Sequence, residues 1–221
     1  MAAAQTQLAG LAVTPSAPAP ASPEPASPEP ASPEPVGSAP TAESAPGALE
    51  IWAMDEHRIG LKPILRTVWA ACGQRPLAVV RPRYEWLYLY GFVQPQSGRT
   101  YWLLMPTVSI EAFSAALAAF AIHVDAGPRR RILLVLDRAG WHVSPRLVLP
   151  AGVTLVPLPP YSPELQPAER LWPLTNEALA NRYFATLSDL DQAQGRRCVA
   201  LQDDPETVRG CVHYHWWPKV A

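Results

Sequence analysis

The sequence predicts an α/β fold: a sheet of mixed direction flanked by helices, behind a disordered proline-rich N-terminal tail. Three observations carry this. The first fifty residues hold 11 of the 27 prolines, five glutamates and no Lys or Arg. Two aromatic-rich segments, Tyr84–Val93 and Thr100–Met105, flank turn chemistry at Pro95–Gly98 and read as an antiparallel hairpin. Two short apolar runs each end in aspartate, Leu49–Met54 before Asp55 and Ile132–Leu136 before Asp137. A hairpin followed by helix, buried strand, short strand and helices is the element order of a mixed α/β sheet.

The tail comes first. Ala-Ser-Pro-Glu-Pro occurs three times in tandem from Ala21 to Pro35. Such a stretch lacks the apolar surface needed to offset its ordering entropy, so residues 1–47 are expected to be disordered or polyproline II-like. No positively charged region precedes the apolar residues at the start, so a targeting peptide is not expected. Residues 48–221 form the folded domain.

Within that domain Leu49–Met54 is a strand ending at Asp55, and Arg66–Ala71 is a short second strand before the turn Gly73-Gln74-Arg75-Pro76. The hairpin follows. Ile110–Val124 is Ala-rich and helical, with Ser109 as N-cap and Glu111 in the first turn. Ile132–Leu136, led by three arginines, is continuously apolar and suits a buried central strand. Val153–Val156 is a further strand, Pro157–Pro167 a rigid turn, and helices are expected from about Ala168 to Tyr183 and from Leu187 to Leu201.

Charge separates along the chain. Residues 51–221 retain all 18 basic residues and 19 − 5 = 14 acidic ones, a balance of about +4 that suits nucleic acid without requiring it. No apolar run approaches the roughly 18 residues of a membrane span, so no membrane association is expected. Cys72, Cys198 and Cys211 lack paired metal-ligand spacing and point to a reducing compartment, structural roles and no zinc site.

The candidate chemistry lies in three carboxylates. If the strands ending at Asp55 and Asp137 run side by side in one direction, both acids emerge at one sheet edge. A helix starting after Pro167 then presents Glu169 opposite them. Carboxylates clustered this way repel unless cations neutralise them, and hard divalent ions such as Mg²⁺ prefer oxygen ligands while leaving room for water and phosphate. Glu56 and Glu164 are assigned helping or structural roles. Trp141 and Trp172 are expected to be packing anchors. A paired-carboxylate glycosidase is the competing enzyme class, but neither the carboxylate spacing nor the proline-rich loop favours it.

The segments Leu-Asp-Arg-Ala-Gly-Trp-His (136–142) and Leu-Pro-Pro-Tyr-Ser-Pro-Glu-Leu-Gln-Pro-Ala-Glu-Arg-Leu-Trp (158–172), with Met54-Asp55-Glu56, Arg66–Ala70 and Gly73–Pro76, carry a family resemblance. They closely resemble the DDE endonuclease domain of bacterial insertion-sequence transposases related to the mariner elements, from about Glu50 to Trp217. The resemblance implies a ribonuclease H-like fold, metal-dependent DNA strand cleavage and strand transfer at element ends, and a cytoplasmic, nucleoid-associated enzyme. It implies Asp55, Asp137 and Glu169 as catalytic metal ligands for two Mg²⁺ or Mn²⁺ ions, with Asp137 bridging both. Arg138, His142, Tyr161 and Ser162 are the implied DNA contacts. Arg138 and Gln166 stand where many relatives carry Asn, and Gln166 is expected to keep its turn with less tolerance of left-handed backbone. Family members carry helix-turn-helix modules, which residues 1–50 cannot form. Recognition is therefore expected from a separately encoded subunit, with a dimer on DNA; the alternative is an inert or truncated transposase fragment.

Overall fold

The computed structural model describes residues 47–218, apart from residues 78 and 80–82. The proline-rich tail, Gly47 excepted, lies outside the described residues. Five strands, β1 (Ala48–Gly60), β2 (Trp86–Val93), β3 (Thr100–Met105), β4 (Arg130–Leu136) and β5 (Val153–Pro157), form one sheet in the order β3-β2-β1-β4-β5. The β1–β2 and β2–β3 pairs are antiparallel, whereas β1–β4 and β4–β5 are parallel. The sheet is therefore mixed, with the hairpin on one side of β1 and the parallel pair on the other.

Alternation along the strands divides the core into two faces. Trp52 and Met54 of β1, with Ile132, Leu134 and Leu136 of β4, pack against α1 (Ile110–His123). This helix begins at Ser109, whose side chain accepts from Ala112 N at 3.1 Å, and buries Phe113, Ala116, Leu117 and Phe120 at helical spacing. Phe120 stacks on Phe92 with centroids 4.3 Å apart. Each fully buried Leu or Phe contributes roughly 1.5–3 kcal/mol. The opposite face, with Ile51, Ala53 and Val135, is covered by Ala168 and Leu171 and by Leu201, Val208 and Val212. Those last three come from α3 (Leu187–Gln202) and α4 (Pro205–Val212). A Thr186–Asp189 capping box opens α3.

The structure corrects the sequence expectations at four places. First, β1 does not end at Asp55. Its parallel ladder with β4 stops at Ala53↔Val135, but β2 continues to pair with it through Glu56↔Tyr90 to Gly60↔Trp86. Second, residues 66–71 form no strand. The backbone of Arg66 instead bonds the Asn181 side chain, through Arg66 N to Oδ1 and Asn181 Nδ2 to Arg66 O, both at 2.9 Å. Third, the helix expected over 168–183 is a 3-10 turn, Pro167–Arg170, running into a six-residue helix, α2 (Leu171–Asn176). Asn181, in a left-handed conformation at φ 56, redirects the chain beyond it. Fourth, α4 was not anticipated, although Asp204 caps it and Pro205 occupies its first turn. No helix among the described residues is long and apolar enough to cross a membrane.

Candidate active site

The register of the parallel pair places the first two acids. Ala53 lies opposite Val135, and Asp55 and Asp137 each follow two residues later. Both therefore leave the ladder at the same end and with the same facing as Ala53 and Val135. The third acid arrives on the 3-10 turn Pro167–Arg170. Gln166 fixes that turn to the sheet: its Nε2 donates to Met54 O at 2.9 Å, while its side-chain oxygen accepts from Ala168 N. The backbone of Gln166 is extended (φ −97, ψ 101), so the position makes no use of left-handed tolerance.

Asp55, Asp137 and Glu169 line one open cavity of about 430 Å³, walled by the proline-rich loop Leu158–Pro163. Their electrostatics differ. Burial, reinforced by the charges of Glu56 and Asp137, pushes the Asp55 carboxyl up to about 7, against hydrogen bonds from the Glu56 backbone and Trp172. Asp137 is held below the ordinary carboxylate range by its bond to His142, with Ala139 N helping against partial burial. Glu169 is raised by burial and then by the charges of Asp137 and Glu164.

The donor set is all carboxylate oxygen, the chemistry of a hard divalent cation. Among the described residues no three His, Cys, Asp or Glu side chains close into a compact ligand group. The three acids stand around a shared opening instead of forming a finished cage. Their donor chemistry suits such an ion, while their spacing here does not close on one.

Three of the four expected DNA contacts lie at the same cavity. Arg138 lines it and donates Nε to Leu158 O at 2.9 Å, making no bond to any of the three acids. Tyr161 is fully exposed at 102% and sits in a left-handed conformation at φ 57, unusual for a bulky residue. Ser162 Oγ donates back to Pro160 O at 3.3 Å. His142 is the exception. It is 4% exposed, and both ring nitrogens are engaged, Nδ1 with Asp137 Oδ1 at 2.7 Å and Nε2 with Glu56 Oε1 at 2.9 Å. It does not reach the surface, so the expectation that it touches DNA is withdrawn. Burial pulls its pKa down, but the bonds and charges of Asp137 and Glu56 outweigh this and push it up to about 9.

Trp172 and Trp141, expected as packing anchors, also donate hydrogen bonds to acids at the site. Trp172 Nε1 donates to Asp55 Oδ2 at 3.2 Å, with its ring stacked 4.9 Å from that of His57. Trp141 Nε1 donates to Glu56 Oε1 at 3.1 Å. The adjacency of Asp55 and Glu56 was the only sequence signal: neighbours on a strand face opposite sides, so two acids in a row need a partner on each. Of the cysteines, Cys198 is buried, its thiol pushed up to about 12 by burial, whereas Cys72 is exposed.

Comparison with known proteins adds to this geometry. Residues 50–191 match the family described as DDE superfamily endonuclease. Over 135 residues the chain is 41% identical to the uncharacterized protein y4pE/y4sA of Sinorhizobium fredii, covering 59% of this chain and 96% of that protein. Among solved structures, a pre-cleavage Mos1 transpososome aligns with a TM-score of 0.50 at 17% identity, over 76% of this chain and 57% of that one. The Mos1 strand transfer complex aligns at 0.48 and 17% identity, over 76% and 56%. The chain thus spans little more than half the length of the Mos1 chains, and at 17% identity the likeness to the pre-cleavage transpososome speaks for the fold alone.

Proposed function

The chain belongs to the DDE endonuclease superfamily and has a ribonuclease H-like fold, and on that premise we propose that it is the catalytic domain of a transposase. In this reading it cleaves DNA strands at the ends of an insertion sequence and joins them to target DNA. One observation carries the proposal: Asp55 from β1, Asp137 from the end of β4 and Glu169 from the 3-10 turn line a single cavity.

Asp55, Asp137 and Glu169 would hold the divalent cation, Mg²⁺ or Mn²⁺, through their carboxylate oxygens. When bound, such ions activate the attacking oxygen and stabilise the leaving oxygen of an in-line phosphoryl displacement. The chain's own residues supply the rest. Trp172 fixes one oxygen of Asp55. Gln166 holds the Glu169 turn against β1. Arg138, Tyr161 and Ser162 at the cavity contact the nucleic acid, Arg138 by charge and the exposed Tyr161 ring by stacking on a base or sugar. Water attacks the phosphorus, the P–O3′ bond breaks and a 3′-hydroxyl is released. That hydroxyl then attacks a target phosphodiester, a new P–O3′ bond forming as the target's own P–O3′ bond breaks and frees a target 3′-hydroxyl. Element-end recognition falls to a separate helix-turn-helix subunit, and two copies act together on DNA.

The test is a strand-cleavage assay on an element-end duplex with the recognition subunit supplied. Cleavage is expected with Mg²⁺ or Mn²⁺, none in EDTA, and none for Asp137→Asn with the fold retained. Full cleavage in EDTA, or an unchanged rate for Asp137→Asn, overturns the mechanism. Inactivity of every form of the chain favours an inert fragment.

A further inference from the structure

Asp137 is anchored on one side only. His142 Nδ1 at 2.7 Å and the Ala139 N–H at 3.0 Å both fall on Oδ1. Oδ2 receives no hydrogen bond among the described residues, and the side chain is 57% exposed toward the cavity. Behind it the anchor is buried. The His142 and Glu56 side chains are 1% and 6% exposed. The imidazole lies against Phe113 with centroids 4.4 Å apart, and Glu56 Oε1 also takes the indole N–H of Trp141. The result is a carboxylate–imidazole–carboxylate chain from the α1 face of β1 to the end of β4.

Such a chain has no evident purpose in packing. Burying the Glu56 carboxylate and an imidazole is costly, and a hydrophobic filling of the same space would be no less stable. What it does accomplish is geometric. An aspartate just past a strand end can rotate about χ1 and χ2, and two donors on one oxygen remove that freedom while leaving the other oxygen presented.

We infer that Glu56 and His142 are positioning residues that set the rotamer of Asp137 and hold its Oδ2 toward the cavity. They touch no reacting atom; they act through Asp137. The inference rests on Asp137 being a cation ligand. Residues that orient a ligand in this way typically change metal affinity 10–100-fold when removed.

Mn²⁺ binding to the full chain, read by electron paramagnetic resonance, separates the possibilities without requiring turnover, with circular dichroism and Tm recorded for each variant. Asp137→Asn is expected to weaken Mn²⁺ binding most; if it has no effect, the ligand assignment fails and this inference with it. Given that loss, His142→Phe, which fills the ring volume but donates nothing, should weaken Mn²⁺ binding tenfold or more. His142→Asn, whose amide can still donate to Asp137, should recover a large part of it. A folded His142→Phe with unchanged affinity overturns the positioning role while leaving the ligand assignment intact. If His142→Phe does not fold, Glu56→Gln decides: it keeps acceptor and shape but loosens the imidazole, so tenfold weaker binding supports the inference and unchanged binding refutes it.

Discussion

Trp172 donates its indole N–H to Asp55 across the junction between the short helix α2 and strand β1, at 3.2 Å. The bond fixes one oxygen of the most buried of the three site acids. It also ties that acid to the segment carrying Glu169, three residues earlier.

Trp172→Phe should therefore act on chemistry more than on stability. Phenylalanine can keep most of the contact with the His57 ring, which stacks at 4.9 Å, but has no N–H to offer Asp55. A fall in cleavage rate of roughly 10–100-fold is expected, with Tm lowered by only a few degrees. A rate within twofold of the parent would show that Asp55 does not depend on the indole.

Gly91 should be intolerant of enlargement. It pairs with Asp55 across the β1–β2 ladder, and a Cβ there would lie 2.9 Å from Trp172 Cη2 and 3.0 Å from Trp102 Cζ3. The nearer ring, that of the half-buried Trp172, must shift. Gly91→Ala should cost roughly 1–3 kcal/mol in denaturant unfolding. It should also lower activity beyond the stability loss, because the displaced ring is the one that holds Asp55. Wild-type stability and activity would refute the account.

The metal-free protein should lose stability as pH rises through neutrality. Asp55 has a folded value of about 7 against the ordinary 3.8, so the native state binds the extra proton between those limits and stability declines from about pH 4 to 7. His142, at about 9 against 6.5, stabilises fully below 6.5, and that contribution disappears as pH climbs through about 9. In EDTA, Tm should fall by several degrees from pH 5 to 9. Asp55→Asn should raise Tm at pH 8 and change it little at pH 4. A flat profile for the parent, or no gain for Asp55→Asn, would contradict the buried-carboxyl account.

Gln166→Leu tests the link between the turn and the sheet. Leucine fits a position only 3% exposed, but Met54 O loses its donor and Ala168 N its acceptor. A loss of roughly 1–3 kcal/mol is expected for the unsatisfied buried groups, together with reduced cleavage because Glu169 is no longer held. Unchanged unfolding would show that the turn is fixed by its prolines alone.

Much of this molecule could be read from its residues one at a time or in short windows. The hairpin, the Ser109-capped helix, the buried run before Asp137 and the family motif around Tyr161 and Glu169 are local patterns, and local patterns survive in a linear string. The segments that misled were those whose backbone partners are distant. Strand β1 continues past Asp55 because β2 is there to pair with it. Arg66 forms no ladder because its backbone groups meet the side chain of Asn181, 115 residues away. The turn carrying Glu169 takes its place from the side chain of Gln166 reaching Met54 O. The same division holds at the site. That Asp55, Asp137 and Glu169 should come to one opening was an expectation drawn from the motif residues, which are a property of sequence, and all three line the cavity. Which groups hold them was not legible, because the bonds from Trp172 to Asp55 and from His142 to Glu56 span 117 and 86 residues. A side chain's partner across such a distance exists only once the sheet has set its register. Sequence therefore determined the locally patterned elements and the side chains on offer, while the tertiary structure alone decided that His142 turns inward to Asp137 and Glu56 instead of outward toward DNA.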